Sequence, residues 1–413
     1  MVAKENTLEA LLKLLNRRRF MQVAGATLGG LVTARHSALA QPMTPFDVWL
    51  RSSQFEDFVI QTVTTAHVPA TSIAVVGDGR VILSKGYGIA DIAAKRRMTS
   101  RTVINIASVT KTITCTAIMQ LFEQGRFKLD DDVNAFLPFR VRNPAFSAKP
   151  ITFRQLLLHT SSIDDGPDYG SSCGDSDVTM AAWVRDELTT SRATRNFLPV
   201  PPGDKYHYSN IAYGVLGVLI ESISGKSFAE YCDRNIFKPL GMNRTGFLLK
   251  TLDPRTEAIP YDYTDHPEAV PVRKAGFSSA PVNGKIQVPH CFYSFATQSD
   301  GLARSCADDL ASFLAMYLGD GAFRGVRILR PETIRLILSD SEPAIHPSES
   351  QTQGLAWVEY RGGIWGKYGA DPGVATLIKF RPSDKRGIVI LTNSNQGEHV
   401  TNAIAGKIFA FGS

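Results

Sequence analysis

Two pairs of β-rich runs, one near each end of the chain, bracket a middle that reads as helix. Residues 71–76 and 80–83 are short runs rich in branched apolar side chains, separated by Gly77-Asp78-Gly79, a hairpin signal by length and composition. Residues 374–380 and 387–392 form a second pair, joined by the polar turn 381–386. Apolar residues recur at helical spacing over 113–123, 153–158, 180–188, 211–223, 228–236, 310–318 and 331–338, and again over 55–66 and 400–411 beside the strand pairs. Strands from both termini can share one sheet only if the middle is set aside. The expected fold is therefore α+β, an antiparallel sheet formed from both chain ends with flanking helices and an inserted mainly helical lobe. No fixed period runs through the sequence, which excludes solenoids and propellers. Residues 250–300, rich in Pro, Gly, Ser and aromatics, read as long irregular connections, either plain surface loops or covers of a site.

A chain of 413 residues, 44% hydrophobic and 20% charged, can bury one large core. Its formal charge of +6 is concentrated at the start, where residues 1–40 hold Lys4, Lys13, Arg17, Arg18, Arg19 and Arg35 against Glu5 and Glu9. The remainder carries only +2 and has no basic stripe, so no nucleic-acid footprint is expected. Arg17-Arg18-Arg19, a Gly- and Ala-rich apolar stretch over 23–32 and Ala38-Leu39-Ala40 resemble a twin-arginine export leader. The stretch falls short of the about 20 apolar residues a membrane span needs. The expectation is a signal peptide over 1–40, then a mature chain over 41–413 without a transmembrane helix, periplasmic or otherwise exported. Within 41–413 the sheet lobe is expected over about 50–107 plus 350–413, and the helical lobe over about 108–349. Cys115, Cys173, Cys232, Cys291 and Cys306 leave at least one thiol unpaired within the chain; export permits a disulfide, spacing does not say which, and scattered buried thiols are the simpler reading.

The chemistry begins at Lys111, the single charge in the apolar run 104–119. A helix apolar nearly all round is a buried one, so this lysine must snorkel out, pair with an acid or lose its proton. Ser108, three residues earlier, falls on the same helix face. A serine hydroxyl is a weak nucleophile until an adjacent base takes its proton. A lysine of ordinary pKa, about 10.4, needs a shift of about three units, on the order of 4 kcal/mol, to serve as that base.

Ser-x-x-Lys occurs once here, and chance alone supplies about one copy in a chain of this length. Two later motifs give it context. Tyr208-Ser209-Asn210 is the sole Tyr-x-Asn and precedes the apolar helix over 211–223, while Lys367-Tyr368-Gly369 lies just before the last strand pair. Singly each has a quieter explanation: Tyr208 as a core aromatic, Asn210 as a helix N-cap, Lys367 as a solvated strand residue. In this order and context they resemble the serine β-lactamase and penicillin-binding-protein superfamily, in its class C β-lactamase-related branch of D-peptidases and esterases. The resemblance runs over about residues 50–410 and takes in Gly86-Tyr87-Gly88, Leu157-Leu158-His159-Thr160-Ser161, Pro202-Gly203 and Pro239-Leu240-Gly241-Met242.

The resemblance implies a β-lactamase/transpeptidase-like fold and a serine hydrolase acting through an acyl-enzyme, with no metal and no cofactor. It makes Ser108 the nucleophile, Lys111 its proton acceptor and Tyr208 the second acid/base. Asn210, Lys367, Gly369 and Ala370 become substrate-binding, with Lys367 lowering the tyrosine pKa and the N–H groups of Ser108 and Ala370 forming the oxyanion hole. The implied substrate is a small-molecule or peptide-like acyl compound bearing an ester, amide or lactam. The alternatives are a promiscuous carboxylesterase and, from another class, a non-turnover domain that binds penicillin or cell-wall fragments. Two residues depart from the family pattern: Tyr368 stands where a small hydroxyl residue is usual, and Ser162 where a glycine follows His-Thr-Ser. His159 is expected to pack at a helix end and His207 to point away from Tyr208. No His-Glu-x-x-His motif is present, so zinc chemistry is not supported.

Overall fold

The computed structural model describes residues 43–277, 284–339 and 351–412; the leader expected over 1–40 lies outside them. Eight strands form the main sheet: β1 (Ala70–Gly77), β2 (Arg80–Asp91), β3 (Arg96–Arg97), β4 (Gln351–Gln353), β5 (Val358–Tyr360), β6 (Ile364–Asp371), β7 (Val374–Arg381) and β8 (Arg386–Thr392). Their spatial order is β4-β5-β6-β7-β8-β1-β2-β3, so the two ends of the chain meet at the β8–β1 pair. That pair is antiparallel with Ile73 opposite Ile390, as are all the pairs along the sheet. The fold expected from the sequence is the one observed.

Alternation along the central strands sends side chains to two cores. Ile73, Val75, Ile388 and Ile390 face one side, where they meet Phe55, Val59 and Val63 of α1 (Ser53–Thr65) and Val400, Ile404 and Ile408 of the last helix, Gly397–Phe409. Ala74, Val389 and Leu391 face the larger core, which continues through the helices of the chain's middle. Each fully buried Val, Leu or Ile contributes about 1.5–3 kcal/mol, so two-sided burial fixes the strand register.

Two helices of the larger core matter for the site: α2 (Thr110–Glu123) and α3 (Asn210–Ser224). The threonines buried in α2 are satisfied in place, Thr112 Oγ1 donating to Val109 O, Thr114 Oγ1 to Ser299 O and Thr116 Oγ1 sharing a bond with Tyr317 Oη. α3 is apolar on most sides and ends at Gly225 in the left-handed conformation. A further helix, α4 (Ala307–Leu318), packs on β8 and β1. It falls within the span 108–349, and its buried face, which includes Leu310 and Leu314, covers the sheet; Phe46–Ser413 forms one compact unit.

The stretch read as irregular connections contains a two-stranded ribbon, Tyr261–Thr264 with Ile286–Pro289. One disulfide joins Cys173 to Cys291, while Cys115, Cys232 and Cys306 are buried thiols. The reading of all five as buried thiols therefore holds for three of them. Among the described residues no single helix is long and apolar enough to cross a membrane.

Candidate active site

The nucleophile candidate sits on a tight turn between a buried strand and a buried helix. Ile104–Asn105 pairs with Arg304–Ser305, and Asn105 Oδ1 accepts the N–H of Ala107 at 2.6 Å. Ala107 takes φ +48°, a left-handed conformation costing a non-glycine residue about 1–2 kcal/mol. From Thr102 to Met119 every residue is buried except Ser108. The turn spends backbone strain on presenting one hydroxyl. Across from it, β6 comes so close that a Cβ on Gly369 would lie 2.6 Å from Ile106 O and 2.9 Å from Ser108 N. Only glycine fits there.

Lys111, one helical turn on, is fully buried. Its Nζ donates to Ser108 Oγ at 3.2 Å, Asn210 Oδ1 at 2.6 Å and the main-chain oxygen of Asp300 at 2.8 Å. Three acceptors match the three donors of an ammonium. Because Asn210 Oδ1 and a carbonyl can only accept, they pin two of the N–H bonds. The third direction of Nζ, whether N–H or lone pair, points to Ser108.

Tyr208 closes the other side of the serine, its Oη donating to Ser108 Oγ at 2.7 Å. Its ring stands between two lysines, with Lys111 Nζ 4.8 Å and Lys367 Nζ 5.0 Å from the ring centre. Behind it the buried His159 ring lies 4.3 Å away, centre to centre, and its Nδ1 accepts the N–H of Ser209. Burial, followed by the charges of Lys367 and Lys111, holds His159 well below the usual histidine range, so it is a neutral platform. Lys367 on β6 is 4% exposed; burial first and the Lys111 charge second push it down to about 7. The structure thus puts a depressed lysine at the third motif, where the sequence reading expected an ordinary cation.

A sequence profile of the β-lactamase family matches residues 55–410. The chain belongs to the β-lactamase family. It is 32% identical over 214 residues to Protein flp of Staphylococcus aureus (strain MRSA252), 51% of this chain and 41% of that protein, so the match spans less than half of that relative. It is 25% identical over 327 residues to a putative D-alanyl-D-alanine carboxypeptidase of Escherichia coli (strain K12), 74% of this chain and 71% of that one. Among solved structures, the octameric penicillin-binding protein homologue from Pyrococcus abyssi superposes with a TM-score of 0.69 at 26% identity, covering 86% of this chain and 77% of that one. The family is one of serine hydrolases.

Within this β-lactamase-family frame, Ser108, Lys111, Tyr208, Asn210 and Lys367 come together, with Gly369 packed against the Ser108 turn and Ala370 next to it, exposed, on β6. His207 turns away to Asp164, Nε2 to Oδ1 2.8 Å. Tyr368 packs with the core on the opposite face of the sheet, so its hydroxyl does not replace the small residue usual at that position. Ser162 takes φ +62°, the conformation that accounts for a glycine being usual there.

Several residues near the site carried no signal in the sequence. Asp165 binds Asn210 through both its backbone and its side chain. Asp300, fully buried, is pushed up to about 6 by burial, the nearby Lys111 charge opposing, and its Oδ2 accepts the Tyr169 hydroxyl. Asp371, beside Ala370, is raised well above the carboxylate range by burial and then by Asp300. A lone acid in a loop, a short helix or a strand, as Asp165, Asp300 and Asp371 are, matches no motif, and only the fold brings the three near the site.

Proposed function

We propose that the protein is an exported hydrolase that opens an ester, amide or lactam through an acyl-enzyme on Ser108. The observation that carries this reading is the double approach to Ser108 Oγ, by Lys111 Nζ at 3.2 Å and Tyr208 Oη at 2.7 Å, with the lysine sealed from water. Oγ attacks the substrate carbonyl carbon while its proton passes to the free-amine form of Lys111, which Asn210 Oδ1 and the Asp300 carbonyl hold in line. Charge developing on the carbonyl oxygen meets the N–H groups of Ser108 and Ala370, donors each worth about 10²–10³ in rate. As the C–N or C–O bond breaks, Tyr208 gives its proton to the leaving group, and the adjacent lysines stabilise the phenolate. In the second half the phenolate takes a proton from the attacking water, and Lys111 returns its proton to Ser108 Oγ as the acyl bond breaks.

The substrate reading rests on Tyr368. With its side chain packed on the far face of the sheet, the site lacks the hydroxyl that family relatives use on a substrate carboxylate. This favours uncharged esters and amides, the promiscuous carboxylesterase alternative, over penicillins and peptide carboxylates. Export is supported by the Arg17-Arg18-Arg19 leader pattern and by the Cys173–Cys291 disulfide, a bond that persists in oxidising compartments. Steady-state rates on a short p-nitrophenyl ester, a D-amino acid amide and a penicillin test the substrate reading; exclusive turnover of the penicillin would overturn it. An Arg17→Lys, Arg18→Lys variant retained in the cytoplasm is the outcome the export reading requires.

A further inference from the structure

Resting on the Ser108 reading, we propose that Asp165 is a positioning residue: its carboxylate holds the Asn210 amide in the one orientation that turns the amide oxygen to Lys111. The two ends of an asparagine amide are alike in shape and opposite in chemistry, so only its partners decide which way it faces. Asp165 Oδ2 accepts Asn210 Nδ2 at 2.7 Å, which leaves Asn210 Oδ1 to accept from Lys111 Nζ at 2.6 Å. A carboxylate can only accept, so as long as Asp165 is ionised the flipped amide would set oxygen against oxygen.

The two oxygens of Asp165 have separate tasks. Oδ1 caps α3, taking the N–H groups of Asn210 at 2.6 Å and Ile211 at 2.9 Å and the Ser209 hydroxyl at 3.1 Å. That is ordinary N-terminal capping, favoured by the helix dipole. Oδ2 has a single partner among these bonds, the side chain of Asn210, and contributes nothing to the cap. An aspartate that served α3 alone would need no second oxygen aimed at the amide.

This division permits a test by exchange. In Asp165→Asn the new amide keeps an oxygen for the cap and turns an NH2 toward Asn210, which must flip and show Lys111 a donor. Adding Asn210→Asp restores every donor–acceptor pair, with the charge moved one residue nearer the lysine. The probe is a fluorophosphonate, and the readout is the rate of Ser108 adduct formation by intact mass between pH 5 and 10, with melting temperatures alongside. The expected results are a loss of about 10–100-fold for Asp165→Asn, recovery of most of it in the exchange variant, and an acid limb displaced upward there, since the carboxylate now adjoins Lys111. An exchange variant no faster than Asp165→Asn at an unchanged melting temperature would overturn the proposal, as would Asp165→Asn with wild-type rate and pH profile. Absence of a wild-type adduct at Ser108 would instead sink the Ser108 reading. The Asn210 side-chain amide signals in a ¹⁵N–¹H spectrum then decide the positioning role: displaced in Asp165→Asn if it is right, unmoved if it is wrong.

Discussion

Lys367 holds its amine 5.0 Å from the ring centre of Tyr208, on a strand that buries it almost completely. A second lysine, Lys111, approaches the same ring at 4.8 Å. Bringing two amines to one phenol is costly in folding and useful in catalysis, because it offers positive charge to the phenolate when the proton leaves. The cost is measurable. With Lys367 pushed down to about 7 against an ordinary value of 10.5, the unfolded chain binds more protons between those pH values. The contribution of this group to stability therefore rises with pH across that window, the penalty being fully felt below pH 7. Lys367→Met should be more stable than wild type at pH 6.5, and the gap should close toward pH 10. Urea unfolding at a series of pH values checks it, and a gap that widens with pH would contradict the assignment.

Gly369 tests the close approach of β6 to the Ser108 turn. A methyl group there meets backbone atoms, Ile106 O and Ser108 N, which have no flexible end to move. Gly369→Ala should displace the Ser108 turn by a few tenths of an ångström or more and lower acylation by about 10²-fold. Ala370→Gly is the control, since Ala370 is exposed and its replacement leaves the main-chain donor in place. Equal rates for wild type and Gly369→Ala would show that the strand does not set the turn.

The Cys173–Cys291 disulfide anchors the segment that carries Asp165 and Tyr169 to the strand pair Ser172–Cys173 with Tyr293–Ser294. It closes a separation of 118 residues, for which about 2–4 kcal/mol of stabilisation is typical. Cys291→Ser should lower the melting temperature and reduce the acylation rate together, because Asp165 and Tyr169 lose their tether. Cys115, Cys232 and Cys306 are buried, with thiols raised by that burial. Native protein should accordingly consume no thiol reagent, and denatured protein three equivalents before reduction.

The parts legible in the sequence were those with a period or a motif. β-rich composition marked 71–76 and 387–392, which became most of β1 and β8, and helical spacing marked 211–223, which became most of α3. The nucleophile motif was legible because a lysine in an apolar run is chemically anomalous. β5 and most of β6 were not, since Gly366 and Gly369 interrupt the alternation of β6 for reasons of close packing that only the folded chain reveals. Asp165, Asp300 and Asp371 were silent for a related reason: an acid's role here depends on which donors the fold brings to it. That Lys367 would be depressed was equally hidden, because only the fold buries it near another charge.

The central claim is that one serine carries the acyl group, activated by the lysine a turn away. Peptide mapping of the protein after brief exposure to a fluorophosphonate tests it most directly. The account predicts a single adduct on Ser108, absent in Ser108→Ala and formed at least about 10²-fold more slowly in Lys111→Ala. Labelling of a different serine, or of Ser108 at an undiminished rate without Lys111, would contradict it.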